Sequence, residues 1–322
     1  MELDYFVVDV FANNALEGNP LAVVINSAAL TTEKMQAIAR EFNLSETTFV
    51  ERRSADLEQA EGIRVRIFTT HEELPFAGHP TLGTASVLKQ HFPDAATGDT
   101  IKLALNVGPV PVHFGPAPVQ SAPAPKTSTQ AATSPLFGEM TQRDAVFGAE
   151  LDPNQVARLT GLQVEDLTPG FPPQVVSTGT AFAIVVLRSP ESLAHLRVNT
   201  QQAAPWLRER GARWFYVLVP TGSAQEAANQ PAWRARMQFE GGEDPATGSA
   251  AGCAIAYLVR HQAVPSGQRI LLRQGVEIGR PSDLYLSARI VDRIKNEEPI
   301  KLTDIRVAGS TVLVAKGRLF LP

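Results

Sequence analysis

One cysteine, Cys253, stands in 322 residues. That excludes an internal disulfide and any mechanism needing two thiols of the same chain. No excess of one charge exists either: 29 Lys and Arg against 33 Asp and Glu leave a net charge of −4, without a block of like charges. Nucleic acid and anionic membrane surfaces are therefore not the expected partners. No apolar run approaches the roughly 18 residues that a membrane span requires. The chain opens on Met1-Glu2-Leu3-Asp4-Tyr5-Phe6-Val7-Val8 with no basic stretch or cleavable apolar segment, so a cytoplasmic location is expected. The six histidines show no ligand spacing with carboxylates or cysteines, although a zinc site needs three or four convergent ligands. No glycine-rich phosphate loop follows a strand, and Gly241-Gly242 reads as a turn. The expectation is no metal and no cofactor, with a small molecule as partner.

What the chain does have is a repeated frame. His79-Pro80-Thr81-Leu82-Gly83-Thr84-Ala85 and Asp244-Pro245-Ala246-Thr247-Gly248-Ser249-Ala250 share a titratable residue, Pro, two variable positions, Gly, a hydroxyl and Ala. Proline favours the first position of a helix, so each copy predicts a helix start carrying a side chain able to exchange a proton. The small and aliphatic residues that follow suit helices buried on most sides. Two such helix N-termini converging on one cleft would suit a small anion such as a carboxylate.

Strand-like runs surround each copy. They lie at Asp4–Phe11, Leu21–Ile25, Thr48–Glu51, Ile63–Phe68, Ile101–Leu105 and Val110–His113 in the first half, with helix signals at Thr32–Phe42 and Pro80–His91. In the second half they lie at Gln174–Val176, Ala181–Val186, Trp214–Val219, Arg234–Phe239, Arg269–Arg273, Asp283–Ala288 and Ser310–Leu319. This predicts an α+β protein of two similar domains, residues 1–114 and 146–309, with the strand at about 310–322 returning to the first. The Pro/Ala/Ser/Thr-rich stretch within 115–145 buries too little apolar surface to offset backbone ordering and reads as a linker or loop.

Five motifs occur in order along nearly the whole chain: Asp9-Val10-Phe11 with Gly18-Asn19-Pro20-Leu21-Ala22-Val23-Val24; Asn43-Leu44-Ser45-Glu46-Thr47-Thr48-Phe49-Val50; Glu73-Leu74-Pro75-Phe76-Ala77-Gly78-His79-Pro80-Thr81-Leu82-Gly83-Thr84-Ala85; Glu243-Asp244-Pro245-Ala246-Thr247-Gly248-Ser249-Ala250; and Gln274-Gly275 with Gly279-Arg280-Pro281-Ser282. In these the chain resembles the phenazine biosynthesis PhzF-like family. The resemblance implies a diaminopimelate epimerase-like fold, each domain a curled mixed sheet or barrel around a central helix, with the active site in the cleft between domains. It implies cofactor-free isomerisation of a dihydro-hydroxyanthranilate-like carboxylic acid, with Glu46 moving the proton, His79 and Asp244 assisting, and Gly78, Gly248 and Ser249 holding the substrate carboxylate. It also implies a homodimer.

The residue chemistry is compatible with those roles. A carboxylic acid becomes a usable base near neutrality when burial disfavours its charged form, and Glu46 is flanked in sequence by Leu44 and Phe49. Against this, Glu46 could be an ordinary surface or capping carboxylate, and His79 and Asp244 could be helix caps alone. Thr84 reads as a buried helix residue packing on strands, and Cys253 as a small buried hydrophobe. A binding protein without turnover and a cysteine-independent racemase or epimerase are the competing functions.

Overall fold

The computed structural model describes residues 1–95, 98–118, 135–222, 232–291 and 301–321. Two compact units divide the chain: Met1–Thr141 with Ala308–Pro322, and Gln142–Val307. The first contains β1 (Glu2–Val10), β2 (Asn19–Ile25), α1 (Thr32–Phe42), β3 (Glu46–Glu51), α2 (Ala55–Glu61), β4 (Ile63–Phe68), β5 (Glu73–Leu74), α3 (Gly78–His91), β6 (Thr100–Leu105), β7 (Gly108–Phe114) and β8 (Leu136–Thr141). The second contains β9 (Val146–Glu150), α4 (Pro153–Thr160), β10 (Gln174–Ser177), β11 (Ala181–Val186), α5 (Pro190–Ala194), α6 (Thr200–Arg208), β12 (Trp214–Pro220), β13 (Trp233–Arg236), β14 (Gln238–Phe239), β15 (Gly242–Glu243), α7 (Gly248–Arg260), β16 (Ile270–Gln274) and β17 (Ser282–Ile290). The last strand, β18 (Leu302–Phe320), belongs to the second unit up to Val307 and to the first from Ala308.

The repeat seen in sequence is also a repeat of topology. In the first unit β1–β2 is antiparallel, β2–β3 parallel, β3–β4 antiparallel, β4–β6 parallel and β6–β7 antiparallel. In the second, β10–β11, β11–β12, β12–β13, β13–β16 and β16–β17 run through the same alternation. Parallel neighbours need a crossover. The crossovers are α1 and α3 in one unit, and α5 with α6, then α7, in the other. In the first unit β18 flanks both β1 and β8, so the sheet closes into a barrel. In the second unit the strand order ends at β9, although β10, β11, β12 and β17 all touch α7.

α3 is buried from Gly78 to Leu88 and touches β1, β2, β3, β6, β7 and β8. Such close approach needs small residues: a Cβ on Gly83 would lie 2.7 Å from Leu21 Cδ2 and from Val10 Cγ2. Its hydroxyls are satisfied locally. Thr84 shares a 2.7 Å hydrogen bond with Thr48, and Ser86 donates to Leu82 O at 2.8 Å and shares a 3.0 Å hydrogen bond with the Thr311 hydroxyl. The outer face of the sheet is covered too: Met35, Ile38 and Ala39 of α1 pack with Leu3, Val24, Phe49 and Phe68. In the second unit α4, α5 and α6 place Val156, Leu159, Leu193, Ala203 and Leu207 against Ala183, Val185, Phe215 and Val217. Burial on both faces explains the unbroken apolar run Leu21–Ile25.

Four expectations are corrected. The segment 115–145 is not linker throughout: Leu136–Thr141 forms β8, anchored by buried Phe137 and Met140, while 119–134 lies outside the described residues. The run Arg234–Phe239 is two short strands, broken at Met237. Glu46 and Phe49 do not share a surroundings, because residues three apart in a strand face opposite sides: Phe49 packs against α1 and Glu46 faces α3. The two copies of the repeated frame also occupy different places in their helices. α3 starts at Gly78, one residue before the first copy's His79, whereas α7 starts at Gly248, four residues beyond Asp244. By helix position Gly78-His79 therefore corresponds to Gly248-Ser249, and Asp244 lies in the approach to its helix.

Candidate active site

Glu46 is delivered by the end of α1. Thr31 caps that helix by accepting from Lys34 N, and Asn43, in the left-handed region at φ 52°, ends it by donating its backbone N–H to Ala39 O. The chain then turns into β3, whose first residue is Glu46, paired in parallel register with Leu21 of β2. The capping alternative for Glu46 is excluded by this placement.

Strand alternation points Glu46 and Thr48 at α3. Thr48 meets Thr84, and Glu46 Oε2 lies 3.4 Å from His79 Nε2. The imidazole is 4% exposed, and burial pushes its pKa down to about 3. The pair is thus a carboxyl against a neutral ring at ordinary pH, not an ion pair. Asn19, fully buried at the start of β2, places its amide Nδ2 3.3 Å from His79 Nδ1. An amide nitrogen only donates, so Nδ1 is the acceptor and the ring proton resides on Nε2, facing Glu46. Neither His79 nor Asp244 is a helix cap. Those positions belong to Ala77 and Thr247, and neither helix start has a side-chain cap.

In the second unit Asp244 is held by its neighbours on both sides. Glu243 is clamped by Arg236 through two bonds of 2.9 and 2.6 Å, a pair with side chains 5% and 7% exposed. Asp244 N donates to Met237 O at 2.9 Å. Its carboxylate oxygen Oδ2 accepts from the Thr247 hydroxyl at 2.6 Å, and its carbonyl accepts from Gln274 Nε2 at 2.7 Å. Gly275 continues from Gln274 at φ +76°, where an added Cβ would lie 2.7 Å from Pro245 O, which accounts for glycine after Gln274. Gly78 and Gly248 are the buried first residues of α3 and α7, and Ser249 is half-buried.

Sequence reasoning assigned no role to Asn19, Thr247, Gln274 or Tyr216. Asn19, Thr247 and Gln274 lie inside the sequence motifs, which is the available signal; Tyr216 lies in an apolar strand that carries none. Cys253 is buried, and burial pushes its thiol up to about 11, consistent with a packing residue. Among the described residues no group of three or more His, Cys, Asp or Glu could hold a metal ion, and no helix is long and apolar enough to cross a membrane.

The duplicated sheet-around-a-helix fold is shared with an Agrobacterium vitis hydroxyproline epimerase, with TM-score 0.58 at 10% identity over 99% of this chain and 92% of that one. This is the diaminopimelate epimerase-like fold class. Closer likeness is found to a Bacillus anthracis phenazine biosynthesis protein of the PhzF family, with TM-score 0.79 at 22% identity and complete coverage of both chains. A predicted epimerase of Pseudomonas aeruginosa gives TM-score 0.76 at 31% identity over 99% and 100%. The family model described as phenazine biosynthesis-like protein matches residues 8–317. Sequence relatives include an uncharacterized isomerase of Mesorhizobium japonicum, 32% identical over 99% of both chains, and the trans-2,3-dihydro-3-hydroxyanthranilate isomerase of P. aeruginosa, 34% identical over 98% of this chain and 99% of that one. The chain belongs to the phenazine biosynthesis-like PhzF family and is an isomerase of it.

Proposed function

We propose that the protein moves a proton within a small cyclic or unsaturated carboxylic acid of the trans-2,3-dihydro-3-hydroxyanthranilate kind, without a cofactor. The observation that carries this reading is the placement of Glu46 3.4 Å from a buried, neutral His79. A neutral ring beside a carboxylate does not hold it as the partner of a full positive charge, and so leaves it able to take a proton. Glu46 removes a proton from carbon, the electron pair shifts through the unsaturated system, and the protonated carboxyl returns the proton at another carbon. His79 and Asp244 hold polar groups of the substrate. The backbone N–H groups at the starts of α3 and α7, with Gly78, Gly248 and Ser249, hold its carboxylate, as uncapped helix N-termini favour anions. The same reading includes a homodimer, for which light scattering should give twice the chain mass.

The test is turnover of trans-2,3-dihydro-3-hydroxyanthranilate and a panel of related cyclic carboxylates by wild type and by Glu46→Gln. Turnover that falls by a factor of about 100 or more in the variant supports general acid–base catalysis by Glu46. Binding of carboxylates without any turnover by wild type would instead identify a binding protein.

A further inference from the structure

The polar chain behind Asp244 has a direction fixed by groups that cannot reverse. Gln274, fully buried at the end of β16, has four partners. Thr247 N can only donate, and it lies 3.1 Å from Oε1. Asp244 O can only accept, and it lies 2.7 Å from Nε2. These two backbone groups settle which end of the amide is which. The remaining contacts then have one possible sense: Tyr216 donates its hydroxyl to Oε1 at 2.9 Å, and Nε2 donates to Thr247 Oγ1 at 3.0 Å. With Oγ1 already accepting, the single hydroxyl proton of Thr247 is directed to Asp244 Oδ2, 2.6 Å away. Tyr216 is fully buried, and burial first, then the charge of Asp244, pushes its pKa well up, so it remains a donor.

We propose that Gln274, backed by Tyr216, is a positioning residue that acts on the Asp244 carboxylate through Thr247, locking the threonine hydroxyl as a donor and Asp244 as its acceptor. This deepens the proposed function, since it rests on Asp244 meeting the substrate, but its test needs no substrate. The measurement is the hydroxyl proton of residue 247 in the ligand-free protein, observed by NMR through its coupling to that residue's labelled side-chain carbons.

In wild type that proton should be shifted downfield and protected from exchange with water. Gln274→Met removes the amide donor and should speed hydroxyl exchange by about fivefold, the equilibrium factor for losing one neutral hydrogen bond worth about 1 kcal/mol. Gln274→Glu keeps an acceptor for Thr247 N and Tyr216 but turns the donor into an acceptor, so the threonine hydroxyl should swing away from Asp244 and lose its downfield shift. Thr247→Ser retains the hydroxyl and should retain the protected signal. Two results would overturn the proposal: a Thr247 hydroxyl in wild type exchanging as fast as an exposed one, or a protected signal unchanged in both Gln274 variants. Failure of the isomerase reading would leave this outcome intact, so the two are separable.

Discussion

Acid should weaken this protein through His79, and replacing that residue should remove the effect. The folded-state pKa is about 3 against an ordinary value of 6.5. The group's contribution is therefore fully present above pH 6.5 and lost as pH falls toward 3, because the unfolded chain takes up a proton that the folded chain refuses. Each pH unit in that window costs about 1.4 kcal/mol, up to about 5 kcal/mol in all. At pH 5 the loss relative to pH 7.5 is about 2 kcal/mol. His79→Gln keeps an amide within reach of Asn19 and cannot titrate. Guanidinium unfolding at both pH values should show a drop for wild type that exceeds the variant's by about 2 kcal/mol. The half-buried imidazoles of His91 and His261 are also shifted downward, chiefly by burial, but they are common to both proteins and cancel. Equal drops in the two proteins, together with a His79 resonance titrating near 6.5 in the folded state, would refute the reasoning.

Thr48→Val strands the Thr84 hydroxyl inside the first unit and should cost about 1 to 3 kcal/mol in denaturant titration, with Thr48→Val/Thr84→Val recovering part of the loss. Arg236→Met leaves Glu243 buried without its clamp and should destabilise by about 3 to 5 kcal/mol, measured the same way. Native protein should fail to react with a thiol reagent that labels it after denaturation, since the Cys253 thiol is buried and its pKa raised to about 11. Cys253→Ala should leave proton transfer within about twofold, because a buried thiol of this kind is inert.

Much of the architecture was legible because the repeat is written in chemistry that only buried helices tolerate. Gly83 next to Thr84 and Ala85 makes sense where a helix presses on Val10 and Leu21, and the alternation in Ile63–Phe68 gives its strand directly. Glu46 and His79 were named from motifs, and the structure brings them to 3.4 Å. Asp244 was misplaced for a specific reason. The Pro-at-helix-start rule is local, whereas the start of α7 is set by Gln274, thirty positions along the chain, whose side chain ties Asp244 O and Thr247 N into a turn before the helix begins. Long-range side-chain contacts of this kind leave no periodic trace. The same holds for Tyr216, which sits in a strand that reads as purely apolar, and for Asn19, whose amide is meaningful only beside an imidazole sixty residues away.

The most direct test of the central claim is solvent-deuterium incorporation, followed by mass spectrometry, with trans-2,3-dihydro-3-hydroxyanthranilate and related cyclic carboxylates. Wild type and Glu46→Gln should be compared at equal concentration. Deuterium should be gained at carbon with wild type and lost with Glu46→Gln while His79 and Asp244 remain in place. Incorporation at the wild-type rate by the Glu46→Gln protein would contradict it.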